Sequence, residues 1–162
     1  MLFRSSVTNV EQYSKDTTYV QPDGTTALLN DRPSLILHAR IQNPPFESYP
    51  VTVVVNHLRS LSGVDGADGT RIRAKRLAQA VDLANKLQAL QAAGDHVISV
   101  GDYNAFDVND GYVDVMGLIK GTEVPASQVT RWAPSPVAPA LFDLLDLAPA
   151  TQRYSFLFDR SE

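Results

Sequence analysis

The chain has 162 residues, a formal net charge of -4 and no cysteine. Its length suits one domain with a single sizeable core, and the missing cysteines exclude disulfides, thiolate metal sites and Cys nucleophiles while leaving cytoplasmic and secreted settings open. The negative charge argues against bulk electrostatic capture of nucleic acid but leaves room for a local basic groove.

No apolar run approaches the roughly 18 residues of a membrane span. The opening MLFRSSVTNVEQYSKD lacks the basic region and apolar core of a signal peptide, and reads instead as the middle of a fold. SLILHARI (34–41) and PVTVVVNHL (50–58) are rich in β-branched residues, and the loop QNPPFESY between them makes them a hairpin. Val51, Val53 and Val55 share one face of the second strand, and Thr52, Val54 and Asn56 the other. Both faces are partly apolar, which predicts a strand covered on both sides.

RSLSGVDGADGT (59–70) reads as a surface loop and 70–93 as a helix. Leu77, Ala80, Ala84, Leu87 and Leu90 (or Gln91) fall at helical spacing, while Arg71, Arg73, Lys75, Arg76 and Lys86 read most simply as a solvated face. Gly94 stops the helix. HVISVG (96–101) reads as a short buried strand, so strand, helix and strand give an α/β or α+β layer. NDGYVDVMGLIKG (109–121) predicts a short helix opened by Asn109 or Asp110. A proline-rich crossing over 122–140, a helical turn in LFDLLDLAPA and a strand over 153–158 complete the chain, with no internal repeat.

Two strands end on polar groups: Asn56 and His57 in VVVNHLRS, and Asp102 and Asn104 in VISVGDYNAF. Polar groups at strand ends project into the crevice where sheet proteins hold ligands. Asp can ligate a hard cation or position water, Asn can donate to a phosphate oxygen, and His can donate or act as general acid. Each also has a plain structural reading, because Gly-Asp and Asn are common turn chemistry and a lone His at a strand end is often structural. Composition and spacing alone leave function open.

NHLRS, a basic helix start RIRAKRLAQA and VISVGDYNAF, in that order, resemble the endonuclease/exonuclease/phosphatase family of DNase I-like nucleases, sphingomyelinases and inositol polyphosphate phosphatases. DRP (31–33) and RYSFLFD make the likeness closer to a bacterial, often secreted, nuclease-like branch. The resemblance implies a fold in which 1–162 form a single partial domain of a four-layer α/β/β/α sandwich. It also implies a metal-dependent phosphodiester hydrolase, foremost a nuclease acting on DNA or RNA, in an extracellular or periplasmic setting.

Under that resemblance Asp102 orients the attacking water near Mg²⁺ (or Mn²⁺ or Ca²⁺), Asn104 bonds the scissile phosphate, and His57 contacts the phosphate or protonates the leaving oxygen. Asn56, Arg59, Arg73 and Arg32 stand as substrate-binding candidates, Arg32 with a salt-bridge role as its plainer reading. The family's early metal-binding Glu and its later Leu-Asp-His and Ser-Asp-His motifs have no counterpart here, and Glu11 is a poor stand-in. The expectation is therefore a central segment with weak ion binding, little hydrolysis by itself, and sheet edges open to self-association. A phosphomonoesterase or sphingomyelinase-like lipid phosphodiesterase on the same scaffold, and a non-catalytic module, are the alternatives.

Overall fold

The computed structural model describes residues 4–42, 45 and 47–153. It is a mixed α/β arrangement built on a four-stranded sheet of order β1-β4-β5-β6, where β1 is Arg4–Tyr13, β4 Ser34–Gln42, β5 Tyr49–His57 and β6 Val97–Asp102. A separate two-stranded hairpin pairs β2, Thr18–Val20, with β3, Thr26–Leu28. Its turn is PDGT, where Asp23 Oδ1 accepts from the Thr25 amide at 2.9 Å and Gly24 takes a positive φ.

The expected hairpin is present: Leu35 lies opposite Val55 and Leu37 opposite Val53. Helix α1, Gly69–Ala92, then carries the chain to β6, which pairs parallel with β5. At the helix end Gly94 adopts φ 85° and donates to the Gln91 carbonyl at 2.9 Å, as the sequence predicted. Helix α2, Val115–Lys120, starts later than expected. Its cap is Asp114, which accepts from the Gly117 amide at 3.1 Å. Asn109 and Asp110 instead close turns onto the amides of Gly111, Tyr112 and Val113. The 122–140 crossing contains one 3-10 turn, Ala126–Gln128, and the expected turn in LFDLLDLAPA is Leu144–Leu147. Of the strand expected over 153–158, residues 154–158 lie outside the described residues.

The core lies between one face of the sheet and the two helices. Ile36 and Val54, which are register partners, have no exposed surface and pack with Ala80, Leu83, Leu87, Leu118 and Ile119. The opposite face differs from expectation. Val10, Leu37, Val53 and Ile98 form one row across the four strands, and Leu35, Val55 and Val100 line up in the next. Strand β6 is therefore not buried: Ile98 is 43% exposed and Val100 39%, because β6 lies at the sheet edge and no described element covers this face there. On strand β5 the cover of this face is graded: Val51 is buried, Val53 half-buried and Val55 exposed.

Strand β1, not anticipated from its polar sequence, pairs with β4 along its length with one bulge between Val7 and Asn9. Glu11 lies within it, 3.5 Å from Lys86 of α1, and is not part of any strand-end cluster. No helix among the described residues is long and apolar enough to cross a membrane.

Candidate active site

Parallel pairing sets His57 beside Asp102 and Asn56 beside Gly101, so both polar strand ends lie at the same end of the sheet. Gly101 is required there. Its φ is 133°, and a Cβ would lie 2.0 Å from the Asn56 carbonyl oxygen, inside any allowed contact. The chain then turns at once. Asp102 Oδ1 accepts from the Asn104 amide at 2.9 Å, and Asn104 takes φ 48°, a left-handed conformation that Asn tolerates better than most residues.

The cleft above these strand ends has a volume of about 310 Å³, and its lining includes Asp31, Arg32, His57, Arg59, Asp102 and Asn104. His57 Nε2 lies 3.0 Å from Arg32 Nη1 and 3.6 Å from Asp102 Oδ2. Arg32 is thus an imidazole partner and not the salt-bridge residue of its plainer reading. Asn104 Nδ2 donates to the Leu58 carbonyl at 2.9 Å, which leaves its second N–H and its carbonyl oxygen for a ligand. The Arg59 guanidinium makes one long contact, 3.5 Å to the Ser62 carbonyl, and otherwise faces the cleft.

Two expected site residues are placed elsewhere. Asn56 is 3% exposed and turned inward. Its amide nitrogen meets Ser99 Oγ at 3.0 Å and the carbonyls of Val54 and Val100, and its oxygen accepts from Ser34 Oγ at 2.8 Å. Those bonds use its capacity, so it holds β5 against β6 and does not reach a ligand. Arg73 donates to the Val64 carbonyl at 2.8 Å and lies over the Tyr112 ring at 5.6 Å, apart from the cleft lining.

The reading of the helix charges as a solvated face also needs correction. Lys75 and Arg76 are 8% and 2% exposed. Lys75 Nζ sits 2.9 and 2.8 Å from the two Asp31 oxygens. Arg76 pairs with Asp110 at 3.0 Å, both side chains being buried, and burial pulls its pKa below the usual guanidinium range despite that carboxylate. The signal for them was phase: Arg76 precedes Ala80 by four, and Lys75, Gln79 and Leu83 follow one another at i+4, the spacing of the core face.

The ion that the resemblance implies does not fit the described residues by themselves. No three His, Asp or Glu side chains among them gather as a metal site. Of the two carboxylates lining the cleft, Asp31 gives both oxygens to Lys75, which leaves Asp102 alone. What the arrangement can do is hold an anion between Arg32, Arg59 and Asn104, with an imidazole and a carboxylate alongside. Compared with models of protein families, with curated proteins and with solved structures, the chain matches none.

Proposed function

We propose that this cleft is part of a phosphodiester-hydrolysing site and that its substrate is a nucleic acid. The observation that carries the reading is the convergence of His57, Asp102, Asn104, Arg32 and Arg59 on one cleft at the ends of a parallel strand pair. A phosphoryl group bearing charge on its non-bridging oxygens matches two guanidiniums and a carboxamide N–H. Attack of water in line on phosphorus forms one P–O bond as the leaving oxygen departs. Asp102 accepts the hydrogen bond and then the proton of that water, and protonated His57 donates to the leaving oxygen. Arg32 Nη1, 3.0 Å from His57 Nε2, sets a guanidinium beside the imidazole, so that one anion can meet both groups. The Mg²⁺ or Mn²⁺ dependence belongs to the proposal. Its ligands would have to exceed Asp102, so no step is derived through the ion.

The finer architecture is part of the same proposal. A sheet face bearing Val10, Leu35, Leu37, Val53, Val55, Ile98 and Val100 is what a second sheet packs against in a sandwich of DNase I-like type. A lipid phosphodiesterase is the second reading, favoured by one observation. Beside Asp102 and Asn104 runs a groove of about 1050 Å³ lined by exposed Phe106, Phe142 and Leu144. Its walls suit an acyl chain better than a polyanion.

The test is hydrolysis of plasmid DNA, RNA, sphingomyelin and inositol phosphates with Mg²⁺ or Mn²⁺, by this chain and by the product of the complete reading frame. The nuclease reading predicts cleavage of nucleic acid by the latter and little by the chain of 162 residues. Preferential hydrolysis of sphingomyelin selects the second reading, and cleavage of none of the four overturns both.

A further inference from the structure

Helix α1 carries a second set of polar residues, which touch the cleft loops from behind. Arg76 Nη1 donates to the Arg59 carbonyl at 2.6 Å and to the Asn104 carbonyl at 2.8 Å, while Nη2 meets Asp110. One turn further along, Gln79 Oε1 accepts from the Arg59 amide at 2.8 Å, and its Nε2 donates to the Leu29 carbonyl at 2.9 Å. Arg59 is therefore gripped at both its N–H and its C=O, which leaves only its side chain to move. Lys75 reaches the third loop through Asp31, next to Arg32. A single helix face thus contacts all three loops that build the cleft.

Stability alone is a poor account of this arrangement. A buried ion pair gains little net free energy, because desolvating both charges offsets their attraction, and an apolar side chain in phase with Ala80 and Leu83 would fill the space with less desolvation. The Arg76 fork is also not spent on its carboxylate in the bidentate manner. One terminal nitrogen serves two loop carbonyls, and its Nε has no hydrogen-bond partner among the described residues. The Arg59 and Asn104 loops are joined at their bases by the Leu58 amide donating to the Asp102 carbonyl and by Asn104 Nδ2 donating to the Leu58 carbonyl, both at 2.9 Å, and beyond those bonds Arg76 bridges the Arg59 and Asn104 carbonyls. Phosphoryl chemistry is sensitive to displacements well under about 1 Å.

We propose that Arg76, with Gln79 and Lys75, forms a positioning block on α1 that sets the spacing between Arg59 and Asn104, so that one anion is met from both sides. The purpose rests on the phosphodiesterase reading above, but the clamp itself does not.

The decisive variant is Arg76→Lys, which keeps the charge but cannot span both carbonyls and Asp110. Leu87→Ala, in the core away from the loops, serves as a destabilised control. In the product of the complete reading frame, Arg76→Lys should lower kcat for plasmid cleavage by about tenfold or more while KM changes less than about threefold. The amide resonances of Arg59 and Asn104 should shift while those of Val51–Val54 stay in place. Leu87→Ala, with an equal or greater loss in unfolding midpoint, should leave kcat within about twofold of wild type.

Arg76→Lys behaving like Leu87→Ala in both readouts would overturn the inference and leave the phosphodiesterase reading standing. Absence of cleavage by the wild type would defeat that reading instead. The amide resonances would then decide the clamp: shifts confined to 58–60 and 102–105 support it, and none there refute it. Should Arg76→Lys not fold, Gln79→Met supplies the same comparison, with the Arg59 amide expected to shift and the Asn104 amide not; an unmoved Arg59 amide counts against the proposal.

Discussion

At the scale of single residues, Asp102 and Asn104 turn out to be turn residues and cleft residues at once. One Asp102 oxygen fixes the Asn104 amide and makes the turn, and the other faces His57. The local turn chemistry is therefore the means by which the site is built, and does not compete with it. Gly101 is the residue that permits this approach. Gly101→Ala should cost about 2 kcal/mol or more in urea unfolding, since its left-handed-side φ and the Asn56 backbone both oppose a Cβ. An unchanged midpoint would show that β5 and β6 part more easily than their register implies. GDYN and NHLRS announced His57, Asp102 and Asn104 because strand ends with polar residues are readable from pattern. Asp31, Gln79 and Arg76 were not, because their roles come from contacts across 17 to 50 positions of sequence.

Among the elements, α1 was legible as a helix but its chemistry was not, since charge suggests solvent unless the phase of each residue is followed. Leu87, fully buried between the sheet and α2, should lose about 2–5 kcal/mol on change to Ala, read by denaturant unfolding. Strand β1 was not legible at all. RSSVTNVEQY carries little apolar signal, and the strand exists because β4 offers it a partner. Tyr13, at its end, ties it to α1 through Asp82 Oδ1 at 3.1 Å. Burial, then the Asp82 charge and hydrogen bond, push the Tyr13 phenol up from 10.0 to about 12. A folded pKa above the unfolded one means the contribution is complete below pH 10.0 and is lost as pH rises towards about 12. Tyr13→Phe should therefore flatten the fall in stability across that alkaline window, as followed by thermal unfolding at stepped pH. An identical alkaline profile in the variant would place Tyr13 outside the linkage.

For the molecule as a whole, among the described residues the sheet is packed by the helices on one face and only partly covered on the other. Both-sided apolar patterning in β5 was visible in sequence, but what covers the second face was not, since pattern reports burial and not its partner. Ile98→Lys discriminates. In this chain alone it should change stability by less than about 0.5 kcal/mol, because the side chain already meets solvent. In the product of the complete reading frame, a second sheet over that face would make the same change cost about 2 kcal/mol or more. Self-association of the chain alone, read by sedimentation velocity and reduced by Ile98→Lys, would mark the same face as the point of contact. Equal tolerance in both proteins would argue against the sandwich.

The central claim is that the cleft hydrolyses phosphodiesters with Asp102 handling the attacking water. The most direct measurement is kcat for plasmid cleavage by the product of the complete reading frame, with and without Asp102→Ala. A loss of about 10²-fold or more is predicted, the scale of a positioned acid–base group. Full activity in the variant would contradict it.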